Sequence, residues 1–406
     1  MKNKKQMRVF SLLMGVALLA GCNGAGKKAT DGLADYPMVN SLAGQSVVGS
    51  VEVMNGDSVW VCDFSKLKDT VTLPLSAIAE EFQVVKLDNS DEALVPAGGV
   101  LVSDNYILVY GRQQTPFKLF DKSGRFLANI GSFGQGPGEY QLVYDAQIDE
   151  ASERIYILPW NAKALLAYDL KGQYVQSIPL PTLVPKGKFK VDSKNSTLSV
   201  FILPFNNLLY AAWRQDLQGN LLDTIPGRHL AVRPDFSNEV FSNKVNGKFD
   251  VSLFTFFELR PDTLYHFEEG RLNPRFTVDF EMKEIPIHFY QELPHCFVGD
   301  VTVKKQVSEN SYVTEAPSCY IMDKKTLKGA FYRLVNDYLG DMPAYLTVNG
   351  DYYILNMEPA KLKDALEKHL EIKTNLSSKE RERLQKLADS IHENDNNYIF
   401  LVDDEN

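Results

Sequence analysis

Short runs of hydrophobic residues alternate with turn residues along most of the chain from about residue 82. Four such runs follow one another closely, at Leu101–Ser103, Tyr106–Tyr110, Phe117–Phe120 and Arg125–Ile130. Gly, Asp and Asn stand between them. Runs of this length and spacing indicate β-strands joined by tight turns, so the pattern predicts an all-β body.

One hairpin motif recurs along this body. Phe120–Ile130, Tyr168–Ile178 and Gln215–Ile225 align over their whole length, each with Asp in second place and Gly in fifth. Asp can bond the turn backbone and Gly accepts a positive φ, so each copy predicts a closed hairpin. Looser copies stand at Phe267–Gly270 and Met322–Lys325. The spacing, roughly 47 to 55 residues, is typical of propeller blades, and the body holds about six such periods.

The repeat therefore predicts an all-β fold, a six-bladed β-propeller over residues 51–406. A closed ring needs its first and last strands to share a blade, and Phe82–Leu87 and Tyr398–Val402 are the candidates. Closure also removes the exposed sheet edges that a linear array would leave. A β-sandwich, or two separate β domains, is the alternative architecture.

One segment breaks the β pattern. Residues 359–393 predict a helical insertion in the last blade, made of two helices, with Leu362, Leu366 and Leu370 on one face of the first. Ser377 and Glu380 form a capping box for the second. We expect this apolar stripe to pack on the rim of the propeller, and docking of a partner is the alternative.

The amino terminus has the organisation of a secretory signal. Residues 1–21 combine a basic start with a short apolar run that ends in Leu19-Ala20-Gly21-Cys22. This ending resembles the lipobox of bacterial lipoproteins. The resemblance implies that residues 1–21 are a lipoprotein signal peptide and that a lipid on Cys22 anchors the protein to a membrane. Residues 22–50, rich in Gly, Ala and Ser, then predict a flexible tether.

Charge narrows the location and the partners. In some Gram-negative groups an acidic stretch just after the lipidated cysteine marks export to the cell surface. Lys27 and Lys28 occupy that region here, which favours an outer-membrane anchor facing the periplasm. The net charge is -9, and removal of the four positive charges of residues 1–21 makes it -13. A body this acidic repels phosphate backbones, so we expect no nucleic-acid partner.

Beyond Cys22, the chain has Cys62, Cys296 and Cys319. Three cysteines can form at most one disulfide, and no two of them have the Cys-x-x-Cys spacing. A bridge between Cys296 and Cys319 is one possibility. The other is that all three are buried free thiols.

The glycine-rich stretch Gly131–Tyr140 is the most distinctive motif. A phosphate-binding loop is followed by a Lys-Ser/Thr pair and a helix, and neither follows this stretch. We therefore expect it to be a crossing between blades. If the loop binds a ligand, its reaching side chains are Gln135, Glu139 and Tyr140. Trp160, at the end of a predicted strand, is a second candidate for ligand binding, with burial in the core as its alternative.

No pattern assigns a catalytic residue, a metal ligand or a cofactor. The six histidines lack the spacing of a zinc site, and no Gly-x-Ser-x-Gly elbow is present. Calcium-dependent six-bladed hydrolases such as lactonases hold their ion with oxygen ligands around the channel. Asp145, Asn161, Asn206 and Asp262 are the residues from which such a cluster could form.

Five segments look familiar as a set: Leu73–Ser76, Glu80–Leu87, Ile130–Tyr140, Asp262–Tyr265 and Glu393–Val402. Through them the chain resembles the six-bladed β-propeller lipoproteins of uncharacterised function found in Gram-negative bacteria. One departure is Asn396-Asn397, where the family has Asn-Pro. The resemblance implies a fold and an envelope location, but no activity.

We therefore expect a membrane-anchored binding or protein-interaction propeller in the cell envelope. The sequence does not identify its ligand, and an envelope protein and a glycan are the candidates. The alternative is a metal-assisted hydrolase or lactonase of the calcium type, with its site at the central channel.

Overall fold

The structure, a computed structural model, describes residues 40–403 apart from 79–80, 97, 112–113, 206–207, 282–284 and 309–310. The predicted signal peptide, Cys22 and most of the predicted tether lie outside the described residues, as does Asn206.

Six antiparallel sheets, each built on four strands, form the blades of a propeller. In each blade the strands are lettered A to D in pairing order. Blade 1 consists of Gly98–Val102, Tyr106–Gly111, Phe117–Asp121 and Phe126–Ile130. Blade 2 consists of Val143–Asp149, Arg154–Pro159, Ala162–Asp169 and Tyr174–Val184. Blade 3 consists of Gly187–Asp192, Thr197–Ile202, Tyr210–Asp216 and Leu221–Pro226. Blade 4 consists of Glu239–Phe241, Asp250–Phe254, Thr263–Glu268 and Arg271–Asp279. Blade 5 consists of Ile287–Glu292, Cys296–Thr302, Ser318–Asp323 and Gly329–Asn336. Blade 6 consists of Val348–Asn349, Tyr352–Met357, Tyr398–Asp403 and Glu81–Lys86.

Blade 6 closes the ring with strands from both ends of the body. Glu81–Lys86 pairs antiparallel with Tyr398–Asp403, with Val84 opposite Phe400. The predicted shared blade, and with it the six-bladed fold, is confirmed. Buried Asn396 fastens this closure, since its side chain accepts from the Val95 N–H at 3.1 Å and donates to the carbonyls of Asp88 and Ala93.

The recurring hairpin joins strands C and D in blades 1 to 3, and its looser copies do so in blades 4 and 5. The carboxylate of Asp169 accepts from the backbone N–H groups of Lys171 and Gln173 at 2.9 and 2.8 Å. Gly172 has a φ of 83°, and a Cβ there would lie 1.8 Å from the carbonyl oxygen of Asn129 in blade 1. The motif therefore both turns the chain and seats each hairpin on the preceding blade.

The segment before residue 78 adds strands that the sequence pattern did not predict. Gly49–Met54 and Asp57–Asp63 form a hairpin, and the second strand pairs in parallel with strand D of blade 4. Thr70–Pro74 pairs in parallel with strand D of blade 5. Leu42 and Val48, which fall within the predicted tether of residues 22–50, are both buried in the hydrophobic core.

The predicted helical insertion lies between strands B and C of blade 6. It consists of helix α1, Pro359–Ile372, and helix α2, Ser378–Ser390. Ser377 and Glu380 form the predicted capping box. The apolar stripe packs on the propeller's own rim, against Leu339, Met342 and Phe400, as expected. No helix within the described residues is long and apolar enough to cross a membrane.

The remaining elements are short. A hairpin is inserted between strands B and C of blade 5, and three two-residue strands and five 3₁₀ helices lie in connections. The hairpin strands are Lys304–Ser308 and Ser311–Thr314, and the short strands are Ser132–Phe133, Glu139–Tyr140 and Met342–Pro343. The 3₁₀ helices are Phe64–Lys66, Leu75–Ala77, Arg228–Leu230, Val245–Gly247 and Asp337–Leu339.

The strand order gives the ring two different ends. The A–B and C–D turns meet at one end, the turn end, whereas the B–C connections and the links between blades meet at the other, the connection end. The insertion and the added hairpin of blade 5 both belong to the connection end. The exposed large hydrophobic residues that lie outside the blade strands and outside the amino-terminal hairpin are also at the connection end, with Val47 as the exception among the described residues. They are Leu94, Phe133, Leu142, Trp160, Leu209, Phe236, Phe257, Val303, Val307, Val313, Tyr345 and Ile372.

Candidate functional site

A groove of about 650 Å³ crosses blade 5 at the connection end. All four strands of the blade contribute to its walls, and the link from blade 5 to blade 6 forms one side. Most of the lining is apolar or aromatic, with Phe289, Tyr332 and Tyr345 supplying rings. A volume of this size is ordinary for small-ligand sites, which run from about 300 to 1,000 Å³.

The groove exists because strands C and D of blade 5 diverge. The two strands pair from Met322 opposite Gly329 to Tyr320 opposite Phe331, and no further. Beyond Phe331, strand D pairs instead with Thr70–Pro74 and with Met342–Pro343. Two residues of strand C, Ser318 and Cys319, keep ladder partners only on the strand B side. The groove lies in the wedge between the separated strands.

A second cavity of about 440 Å³ lies where strands A of blades 1, 5 and 6 face one another, at the mouth of the central channel. Phe289, Gln291 and Leu346 line both this cavity and the groove. The two spaces therefore adjoin, and a ligand in the groove can extend toward the channel.

The helical insertion positions the link that walls the groove. The carbonyl oxygen of Gly340 is 2.7 Å from Nε2 of His369 in α1, and Lys373 pairs with Asp341 at 3.1 Å. The Asp337 carboxylate accepts from the Ser76 N–H at 3.0 Å. A link held from several sides presents Tyr345, whose side chain is 82% exposed, at the rim of the groove.

One acid and one thiol line the groove, Asp300 and Cys319. Burial raises the pKa of Asp300, and the Cys319 thiol donates a hydrogen bond to it. Burial, followed by the effect of Asp300, raises the pKa of Cys319 to about 12, so this thiol stays protonated at neutral pH. Cys319 lies opposite Asp300 and Cys296 opposite Asp323 on the adjacent strands, and neither cysteine is in a disulfide. The Cys296–Cys319 bridge is therefore not formed.

The chain matches the family described as "Domain of unknown function (DUF4934)" over residues 61–403. The chain belongs to this family. No curated protein matches it. The fold is similar to that of a candidate exported protein from Bacteroides fragilis NCTC 9343, with a TM-score of 0.57 and 17% identity, covering 84% of this chain and 99% of the other.

Two further solved structures are weaker matches to this DUF4934 chain. A member of the DUF4221 family from Bacteroides vulgatus ATCC 8482 has a TM-score of 0.37 and 12% identity, covering 67% of this chain and 85% of its own. Hydrazine synthase from Kuenenia stuttgartiensis has a TM-score of 0.36 and 11% identity, covering 58% and 69%. Scores this low carry no functional argument.

The predicted ligand-binding residues of this DUF4934 protein lie at the connection end, but at blade 2. Gln135 is exposed, and Trp160 is 44% exposed in the B–C turn, where its backbone N–H donates to the Leu142 carbonyl. Glu139 holds the loop by accepting from the Gly136 N–H at 2.8 Å. In six-bladed order, blade 2 stands opposite blade 5, so these residues are not part of the groove. Their role in ligand binding remains a prediction.

Tyr140 differs from the other three residues of that prediction. Its side chain is buried, its hydroxyl donates to the Ile130 carbonyl at 2.5 Å, and the same hydroxyl accepts from the Phe117 N–H at 2.9 Å. This hydroxyl therefore joins blade 1 to the following link and does not reach outward as the sequence reading expected.

The three described residues that were considered for calcium, Asp145, Asn161 and Asp262, lie in two different blades and have other roles. Asp145 in blade 2 accepts from Lys244 at 3.1 Å, and Asn161 is a turn residue with a φ of 57°. Burial raises the pKa of Asp262, in blade 4, to about 7. Within the part of the chain that the structure describes, no group of three or more His, Cys, Asp and Glu side chains is arranged to hold a metal ion.

A buried ionic cluster occupies the turn end between blades 4 and 5. The Glu292 carboxylate is 2.6 Å from Nε2 of His266 and 2.7 Å from Nζ of Lys324. Burial alone would raise the pKa of Glu292, but these two partners outweigh it and lower the pKa to about 2. His266 and Lys324 are both paired with the Glu292 carboxylate, so the cluster links blades 4 and 5 structurally.

Proposed function

We propose that this DUF4934 protein is an exported propeller, anchored in the cell envelope by a lipid on Cys22, that binds its ligand in the blade 5 groove. The observation that carries the binding role is the groove itself, which adjoins the channel mouth and is walled mainly by apolar and aromatic side chains. The signal-like amino terminus supports export, as does the description of the Bacteroides fragilis neighbour.

The groove is tested with small molecules extracted from the envelope of a Bacteroides host. The purified protein is incubated with the extract, and retained species are detected by native mass spectrometry. We expect Leu346→Arg, at the junction of the two cavities, to abolish retention because a long charged side chain enters the shared space. Phe289→Ala is the second variant, and it enlarges the same space without adding charge.

Trp160→Arg is the matched control, since Trp160 is also at the connection end but at blade 2. Retention by wild type and by Trp160→Arg, but not by Leu346→Arg, supports the proposal. If wild type retains nothing, or if only Trp160→Arg loses the ligand, the blade 5 groove is not the binding site.

The anchor is tested separately with Cys22→Ser. A protein held by acyl chains remains with membranes after a salt wash, whereas one without them is released. We expect the variant to appear in the soluble fraction with an unchanged thermal unfolding curve. Sedimentation of Cys22→Ser with salt-washed membranes contradicts lipid anchoring.

A further inference from the structure

One residue of the groove lining, Arg333, carries a charge that the fold itself does not use. Arg333 lies on strand D of blade 5, is exposed and lines the groove. No hydrogen bond, ion pair or ring contact within the described residues involves its side chain. Of the other described arginines, only Arg228 shares this property. The remainder bond to carboxylates or carbonyls: Arg125, Arg154, Arg214, Arg233, Arg260, Arg271, Arg275, Arg381 and Arg383.

The one acid in the groove lining does not neutralise this charge. Asp300 is bonded by the Cys319 thiol, and its burial favours the protonated form. The rest of the lining is mainly apolar and aromatic and includes Tyr332, Leu334 and Tyr345. The groove therefore offers one positive group to an otherwise apolar ligand.

The backbone of the groove adds a second element of recognition. Ser318 and Cys319 have ladder partners on the strand B side only, and the side toward the groove is left open by the divergence of strand D. An open strand edge is a template for pairing with an extended chain. The opening is short, so it accommodates a few residues only.

We propose that the groove binds the carboxyl terminus of a peptide, with the terminal carboxylate on Arg333, the last residues paired along Ser318 and Cys319, and an apolar side chain toward Phe289. An arginine can bind a carboxylate through two parallel hydrogen bonds, which makes it well suited to this task. This inference rests on the proposed function and names the ligand class for the same site.

The test compares two pools of tripeptides that end in Phe, Leu or Val, one with free carboxyl termini and one amidated. Binding to the purified full-length chain is measured by competition and native mass spectrometry. We expect the free-acid pool to bind about tenfold more tightly than the amide pool or better, because charged hydrogen bonds are the stronger ones. Arg333→Gln should remove that difference.

Arg228→Gln is the matched control, because Arg228 is also exposed, unpaired and at the connection end, in the link between blades 3 and 4. It should keep the preference for the free acid. Both substitutions are at exposed positions, so thermal unfolding should be unchanged and a loss of binding cannot be attributed to misfolding.

Three outcomes overturn the inference. Equal binding of the two pools, or an unchanged preference in Arg333→Gln, would mean that Arg333 does not bind the terminal carboxylate. Equally tight binding of 3-phenylpropanoate, which has the carboxylate but no peptide backbone, removes the strand pairing. If these occur while Leu346→Arg still abolishes retention of an envelope ligand, the groove remains the binding site and only the ligand class is wrong.

Discussion

At the turn end neighbouring blades hold one another through repeated local devices, whereas at the connection end they are held by long segments that differ from blade to blade. In blades 1 to 3 the Asp and Gly of the C–D hairpin turn the chain and place the hairpin against the preceding blade, and the Glu292 cluster ties blades 4 and 5. The connection end carries the insertion, the exposed hydrophobic residues and the groove. The ring is thus stabilised at one end and leaves the other free to differ, which is the usual division between scaffold and binding loops.

The largest expected effect is at the turn end. Glu292→Gln leaves Lys324 and His266 without their buried carboxylate, and breaking such a cluster costs about 3 to 5 kcal/mol. Urea denaturation at pH 7 measures the loss in unfolding free energy. Glu52→Gln, at an exposed position on the amino-terminal hairpin, is the control and should change it little.

The same cluster has a pH signature. Because the pKa of Glu292 is lowered to about 2 from its usual 4.5, the carboxylate stabilises the fold above pH 4.5, and that contribution is lost as the pH falls toward 2. Wild type should therefore lose more stability than Glu292→Gln between pH 5 and pH 3. If the unfolding free energies of the two proteins fall equally over this range, the pKa of Glu292 is not lowered by its partners.

The next effect concerns the seat of a hairpin on its neighbour. Gly172→Ala combines an unfavourable positive φ with a clash against the Asn129 carbonyl, and we expect a loss of about 3 kcal/mol. Gly56→Ala is the matched control, since Gly56 has a φ of 94° with nothing within 4 Å of its Cβ position. It should cost only about 1 kcal/mol. Equal losses would mean that the contact between blades contributes nothing.

A smaller effect at the connection end has the opposite dependence on pH. The pKa of Asp262 is raised by burial to about 7, so the folded protein binds a proton that the unfolded chain releases near pH 4. Ionisation of Asp262 therefore destabilises the fold progressively as the pH rises from about 4 to 7. Asp262→Asn should narrow the stability difference between pH 5 and pH 8 by about 1 to 3 kcal/mol, as measured by thermal and urea unfolding. A profile identical to wild type contradicts this assignment.

The smallest effect on stability is expected at the rim of the groove. Tyr345 is 82% exposed, so Tyr345→Ser should change the unfolding free energy by less than about 0.5 kcal/mol. It should nevertheless weaken ligand retention, because it removes an aromatic wall. Loss of stability without loss of binding would place Tyr345 in the scaffold and not in the site.

The same division explains which features the sequence could predict. The hairpins were predictable because Asp121, Asp169 and Asp216 bond backbone groups within the next four residues, and a signal of that kind is local. The helices were predictable from their apolar period and from the Ser377 capping box. The closing strands of blade 6 followed once the number of repeats required a ring.

The groove and the amino-terminal strands were not predictable in this way. Thr70–Pro74 pairs with a strand that follows far along the chain, so nothing near Thr70 identifies its partner. The groove arises from the divergence of two strands, and neither Phe289 nor Arg333 belongs to a motif. The glycine-rich loop, by contrast, attracted a ligand-binding hypothesis because its pattern was conspicuous, yet the buried Tyr140 and the bonded Glu139 show that much of it serves a tight crossing.

The closing blade also constrains when this protein can fold. Glu81–Lys86 is synthesised well before its partner strand, Tyr398–Asp403, because the other five blades lie between them in the sequence. Bringing together segments so distant in sequence is slow, because the entropy of the intervening loop is lost before the pairing compensates for it. Blade 6 therefore cannot assemble on a partly synthesised chain. The ring stays open until Tyr398–Asp403 has been made, and an open chain of this kind suits the proposed export, because a narrow translocation pore passes only unfolded polypeptide.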